Sequence, residues 1–251
     1  MFLKDLNIMQ PLDNTPPSKD QVWKMFDQIS NTYDKVNRAM TAGRDLAWRK
    51  KVGTFLPQKH DIHLLDLATG TGDQIFSLLE SYHQISYAVG IDMASLMLEL
   101  AQKKRETFFY KEKISFIEAS ALDIPYANES FDCVTMSFGI RNVTCPATCL
   151  QEIFRVLKPG GRIIILESSL PKNPIIKKFH LLYLRKILPR IGGALSQKKE
   201  AYIYLNKTIE TFPSGRQFCH LLEINHFISA KMHPLMLGAV TIYQADKPLT
   251  L

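Results

Sequence analysis

The segment LLDLATGTGD (residues 64–73) decides how the chain is built. An apolar run leads through Asp66 to Gly70 and Gly72, and residues with helical patterning follow at once. This is a strand, a tight turn and a helix start. Glycine is wanted in such a turn because a residue without Cβ lets the backbone approach a ligand closely. Twenty residues beyond Gly72 the next apolar run closes on Gly90-Ile91-Asp92, the spacing at which a carboxylate accepts hydrogen bonds from a ribose diol. Two cofactors compete for this arrangement. A dinucleotide wants a third glycine, but Ile75 stands there, and Asp73 at the helix start repels a pyrophosphate from the positive end of the helix dipole. S-adenosyl-L-methionine has no phosphate and carries a sulfonium and an ammonium, so an acidic loop suits it. Asp66, Gly70, Gly72 and Asp92 therefore read as its binding loop.

Outward from that turn, short apolar runs and helical stretches alternate. Residues 64–68, 87–91, 114–117, 131–137 and 162–166 read as strands, with helices over 73–81, 94–105 and 146–157 between them. Such alternation implies βαβ units and a largely parallel sheet. Two late runs, 230–233 and 238–244, suit an antiparallel pair at its edge. Residues 18–56 look helical, as do 198–211 and 215–225. The chain divides into a flexible N-terminus (1–17) and one domain (18–250). That domain holds a helical cap (18–58), a cofactor-binding core (62–170), basic substrate-side helices (171–228) and terminal strands (229–246). Ser120 and the backbone at Ala121, after the third strand, are placed to bond an adenine edge. Ser137 closes the fourth strand, where open α/β sheets bind ligands. Asp123 reads equally as a turn cap or a contact, and Lys158-Pro159-Gly160-Gly161 as a helix stop before a strand.

Composition narrows the class. With 251 residues, 46% hydrophobic and 22% charged, the chain is that of an ordinary globular protein. Cys133, Cys145, Cys149 and Cys219 form no CxxC pair and the seven histidines no metal-like spacing, so neither a disulfide framework nor a metal is expected. A reduced, cytoplasmic compartment follows, and no apolar run approaches the ~20 residues of a spanning helix. The formal net charge is +7, and residues 172–200 alone hold eight basic residues against one acidic. All the excess sits in that segment, which points to an anionic partner. Within it, IIKKFHLLYLRKILPRI (175–191) spaces Ile176, Phe179, Tyr183 and Ile187 as on one helix face. It reads as a basic amphipathic helix on a membrane surface or as a core-facing helix with a basic outer face.

These residues resemble the UbiE/MenG C-methyltransferases, which methylate the quinol ring of menaquinone and ubiquinone precursors. LDLATGTGD (65–73), GIDMASLML (90–98) and FDCVTMSFG (131–139) carry the general methyltransferase pattern. YDKVNRAMTAGRDLAW (33–48), SFGIRNVT (137–144), RVLKPGGRIIILESS (155–169) and YIYLNKTIETFP (202–213) carry the more specific one. The resemblance implies the class I methyltransferase fold, a Rossmann-like, mostly parallel seven-stranded sheet with helices on both faces plus an N-terminal helical cap. It implies cofactor contacts at Thr71, Asp92, Ser120, Ala121 and Ser137, substrate contacts at Tyr33 and Asn37, and a homodimer. The chain departs from the pattern at Thr41 and Asp45, where the family usually has Ser and His, and at Ser120, where it often has Asn or Asp.

The implied reaction is methylation of a demethylmenaquinol to menaquinol, with a polyprenyl-methoxy-benzoquinol as the alternative and a nucleic acid as a remoter one. No nucleic-acid partner is expected. Attack by an aromatic carbon requires a neighbouring ring hydroxyl close to ionised, which a fixed positive charge favours. Arg141, four residues past Ser137, is the candidate charge, with Asn142 orienting the oxygen; the competing reading of Arg141 is a salt bridge closing the loop. Glu167 could face either way. The prenyl tail gives a reason for peripheral contact with the inner face of an anionic membrane through residues 175–191.

Overall fold

Strands buried on both faces carry apolar residues at consecutive positions, and the chain's Ile-Leu-Val runs pair in this way. The computed structural model describes residues 18–250; the expectation for residues 1–17 lies outside them. The chain enters through α1 (Val22–Thr41), turns at Ala42 and Gly43, both left-handed at φ 51° and 74°, and continues as α2 (Arg44–Val52). Glycine adopts that conformation without strain and so ends the helix cleanly.

Five strands then run parallel: β1 (Ile62–Leu67), β2 (Ile85–Asp92), β3 (Ile114–Glu118), β4 (Phe131–Ser137) and β5 (Leu157–Ser168). Helices α3 (Asp73–Ser81), α4 (Ser95–Glu106) and α5 (Pro146–Val156) make crossovers between them. The chain next forms α6 (Pro174–Leu182), a π-helical turn (Tyr183–Ile187), α7 (Leu188–Ser196), α8 (Lys199–Thr211) and α9 (Arg216–Ile224). It ends in β6 (Ile228–Leu235) and β7 (Val240–Asp246), both pairing antiparallel. The strand order is β3-β2-β1-β4-β5-β7-β6. The order reverses between β1 and β4, and a ligand crevice forms beyond the carboxyl ends of strands at such a switch.

Alternation along each strand separates two cores. Leu65 and Leu67 of β1 pack with Leu150, Ile153, Phe218 and Leu222 of α5 and α9. Ile62 and Leu64 face Ile75, Leu78 and Leu79 of α3 and Val52 of α2. A third core lies outside the sheet, where Ile29 and Val36 of α1 meet Leu184, Leu188, Ala201 and Ile209. It seats the N-terminal helices and α7–α8 against each other over the crevice.

Two expectations are corrected. Gly160-Gly161 does not cap α5: Leu157 takes an extended conformation directly after Val156. The glycines instead form a bulge in β5, where the register jumps from Phe131↔Leu157 to Cys133↔Arg162 and Gly160, at φ 75°, donates its N–H to Lys247. Residues 175–191 are helical throughout but do not keep one α-helical register. Asn173 caps α6 by accepting from the N–H groups of Ile175 and Ile176, and the π-turn then shifts the register. Ile175, Phe179, Leu182 and Ile187 are exposed, while Tyr183 and Leu184 turn inward.

Candidate active site

The loop after β1 is held by its own acidic residues. Asp92, at the end of β2, accepts from the N–H of Gly70 at 2.8 Å through one oxygen and from that of Ala94 at 2.9 Å through the other. Burial pushes its carboxyl up, against these backbone donors, which favour the charged form. Asp66 is 1% exposed and accepts from the Thr135 hydroxyl at 2.7 Å; burial raises it to about 6. The glycines answer two different needs. A Cβ on Gly72 or Gly90 would come within 2.7 Å of Phe76 or 2.6 Å of Phe116. One on Gly70 would meet nothing within 4 Å, because Gly70 (φ 56°) borders open space.

That space is a cavity of about 240 Å³. Gly70, Asp92, Ser120, Ala121 and Ser137, five of the residues expected at the cofactor, line it together with Met93, Met97 and Leu122. Trp23 and Phe26 of α1 cover it. One carboxylate, Asp92, beside a backbone left bare at glycine, ending on apolar side chains, fits a phosphate-free nucleoside bearing a sulfonium. Ser137 donates to Gln74 at 2.7 Å, and Gln74 in turn donates to the backbone carbonyl of Arg49 at 3.1 Å. Ser120 accepts from the N–H of Leu122, and Asp123 bridges back to Ser120, so Asp123 serves the turn.

Three residues assigned to the cofactor do not line the cavity. Asp66 and Gly72 lie beneath the loop and shape it. The Thr71 hydroxyl donates to Asp34 and accepts from Lys104, each within 2.9 Å. Lys104 and Arg38 also hold Asp73, and Arg38 pairs with Asp45 as well. This network fastens α1 and α2 to α3 and α4. It also accounts for the departure at Thr41 and Asp45: the Thr41 hydroxyl donates to Asp45 at 2.8 Å.

A second cavity of about 390 Å³ adjoins the first, and Phe26, Tyr33, Phe138 and Asn142 line both. Asn37 and Arg141 line the larger one, with apolar walls from Met25, Ile29, Leu184, Leu188 and Ile209. Phe138 adopts φ 59°, an uncommon conformation for an aromatic residue that places its ring in the partition. Asn142 donates to the carbonyl of Phe138 at 3.3 Å, which leaves its buried Oδ1 without a partner.

The expectation of Arg141 as a free positive charge is corrected. It is 4% exposed, and its guanidinium pairs with the equally buried Glu167, which also accepts from the N–H of Ser168. Attraction between two desolvated charges outweighs any other partner, so Arg141 and Glu167 form a net-neutral unit that closes the loop after β4. Sequence reasoning missed Phe138 as a wall, Gln74 as the link between Ser137 and α2, and Trp23, Phe26 and Lys19 as the cover. No motif marks these. Lys19 shows itself only in three dimensions, donating to the carbonyl of Val143 at 2.8 Å.

Comparison with known proteins agrees with this geometry. The model of the ubiE/COQ5 methyltransferase family matches residues 15–247. The chain is 38% identical to the "Ubiquinone/menaquinone biosynthesis C-methyltransferase UbiE" of Geotalea daltonii, over 91% of this chain and 97% of that one. It is 33% identical to the "Demethylmenaquinone methyltransferase" of Bacteroides fragilis, over 95% and 97%. Among solved structures it resembles a SAM-dependent methyltransferase of Thermotoga maritima, with a TM-score of 0.63 and 18% identity, over 90% of this chain and 99% of that one. The fold is thus the class I methyltransferase fold, and the chain belongs to the ubiE/COQ5 methyltransferase family.

Proposed function

We propose that this enzyme methylates a ring carbon of a demethylmenaquinol, giving menaquinol. The observation that carries the reading is the pair of adjoining cavities: one where Asp92 and the bare backbone at Gly70 meet apolar side chains, and a larger, mainly apolar one, with Phe26, Tyr33, Phe138 and Asn142 lining both. S-adenosyl-L-methionine supplies an electrophilic methyl on its sulfonium when bound. Asp92 and the bare backbone at Gly70 would hold its ribose and chain, and Ser120, Ala121 and Leu122 its base. Tyr33 and Asn37 would then border the quinol ring, and the orphan Oδ1 of Asn142 is an acceptor for a ring hydroxyl. The aromatic cover from α1 excludes water from the reactive sulfonium. Holding two reactants in one geometry supplies much of the acceleration in such transfers.

The surface beside the larger cavity suits a prenyl tail. His180, Tyr183, Leu184 and Leu188 line the cavity from the segment whose outer side exposes Ile175, Phe179, Leu182 and Ile187. Lys177, Lys178, Lys186 and Arg190 are exposed on the same segment. Arg185 is not part of that charge, because it pairs with Glu210. We assign this side to the anionic face of a membrane, docked by apolar insertion and Lys/Arg attraction. Among the described residues no helix is long and apolar enough to cross a membrane.

The test is transfer of labelled methyl from S-adenosylmethionine to short-tailed demethylmenaquinol, methoxy-benzoquinol and RNA offered side by side. Label in menaquinol supports the reading, and label in both quinols makes the enzyme serve both rings. Label in RNA alone, or in none of them with the cofactor bound, overturns it.

A further inference from the structure

With Arg141 neutralised by Glu167, the larger cavity needs another source of positive charge if a ring hydroxyl is to ionise there. Two further cations line it from α2: Arg44, which is exposed and reaches Met236, and Arg49, which is buried. Arg49 is 7% exposed. Among the described residues its guanidinium forms no ion pair and no hydrogen bond, and its buried Nε has no partner. A desolvated cation without a counter-ion is costly, so its retention points to an anion that arrives with a ligand. Its placement is also built. Its guanidinium carbon lies 5.7 Å from the centre of the Phe138 ring in the partition between the cavities. Its backbone carbonyl is tied through Gln74 to Ser137 on the cofactor side.

We infer that Arg49 is the catalytic cation of the larger cavity: its guanidinium contacts the ring oxygen of the quinol and holds it as an oxyanion while the neighbouring carbon attacks. This rests on the quinol reading above. The hydroxyl proton leaves to solvent as the ring oxygen takes the charge; the carbon–methyl bond would form as the methyl–sulfonium bond breaks, with S-adenosylhomocysteine as leaving group, and the hydrogen on the methylated carbon would then leave to solvent as a proton to restore the aromatic ring. No proton passes through Arg49, whose guanidinium stays protonated.

The charged and titratable groups around it are few enough to separate. Asp45 lies on the same helix, already paired with Arg38 of α1. Asp66 of β1 and Asp73 of α3 act on Arg49 at longer range, and Asp73 is held by Lys104 of α4. Across the Phe138 ring stands Arg141 with Glu167 of β5. From α6 and the π-turn come His180 and Tyr183, and from α8 Tyr202 and Tyr204. Burial lowers the His180 imidazole and raises the three tyrosines, so these four move away from the neutral range.

The experiment compares kcat against pH for the wild type, Arg49→Lys and Arg49→Met on short-tailed demethylmenaquinol, with S-adenosylhomocysteine affinity measured on each. A cation beside a phenol favours the phenolate, so its loss moves the rising limb of kcat to higher pH. Arg49→Met is expected to displace that limb upward by at least about one pH unit, with a tenfold or greater loss at pH 7 that shrinks under alkaline conditions. Arg49→Lys displaces it less, and S-adenosylhomocysteine affinity stays within about twofold in both, which also reports an intact fold. A limb that stays in place in Arg49→Met, or a loss equal at every pH, overturns the inference. Wild-type protein that methylates no quinol overturns the proposed function instead.

Discussion

Asp66 shows what the cofactor loop costs at the scale of one residue. Its carboxyl ionises near pH 6 in the folded protein against 3.8 as the reference, so the folded state binds a proton more readily than the unfolded one. Stability therefore falls as pH rises between those values, by roughly 3 kcal/mol in all for a fully buried group. Asp66→Asn keeps an acceptor for Thr135 and removes that titration. Urea unfolding at pH 4.5 and 7 should show the variant gaining on the wild type at the higher pH; an equal difference at both would contradict the assignment. Arg141 and Glu167 invite a double-mutant cycle at the same scale. Glu167→Leu alone strands a buried cation and should cost about 3–5 kcal/mol, and adding Arg141→Met should recover much of it. Additive losses would mean that the pair does not act as a unit. A loop-closing salt bridge at Arg141 was one of the two readings of the sequence, but neither its partner nor that of Asp66 was legible there. Arg141 and Glu167 lie 26 positions apart, and only the parallel register of β4 on β5 brings them together.

At the scale of elements, strands proved more readable than helix ends. β1, β2, β4 and β5 declare themselves because their central residues are buried on both faces, while β3, half-buried at the sheet edge, shows as a short run of apolar residues. The bulge at Gly160 does not, because a glycine pair after a helix signals a helix stop equally well. The same holds for α6: a 3.6-residue period groups Ile176, Phe179, Tyr183 and Ile187, but the π-turn breaks that period and sends Tyr183 inward. The outcome strengthens the docking surface, since Ile175 and Phe179 are about two-thirds exposed beside the lysines. Reversing Lys177, Lys178 and Lys186 to Glu should remove binding to anionic vesicles, each cation near such a surface contributing about 1 kcal/mol. Activity on a water-soluble short-tailed quinol should persist. Unchanged co-sedimentation with phosphatidylserine vesicles would contradict the surface assignment.

For the whole molecule, the division of labour comes from three cores rather than two. The carboxyl edge of the sheet builds the smaller cavity, and part of its lining was legible because Gly70, Asp92, Ser120 and Ser137 all lie at or just after strand ends. The third core, of α1 with α7 and α8, makes the larger cavity from segments up to about 180 residues apart. Most of its walls are ordinary apolar residues with no motif, so Tyr33 and Asn37 could be named in advance only through resemblance, and Arg141 and Asn142 from their place after β4. The proposed function stands on methyl donor and acceptor occupying adjoining cavities that meet beside Phe138 and Asn142. A crystal structure with S-adenosylhomocysteine and a short-tailed menaquinol tests it most directly. The account predicts the nucleoside against Gly70, Asp92 and Ser120, and the ring in the larger cavity with an oxygen on Asn142. A ring bound outside that cavity, or a nucleoside within it, would contradict the account.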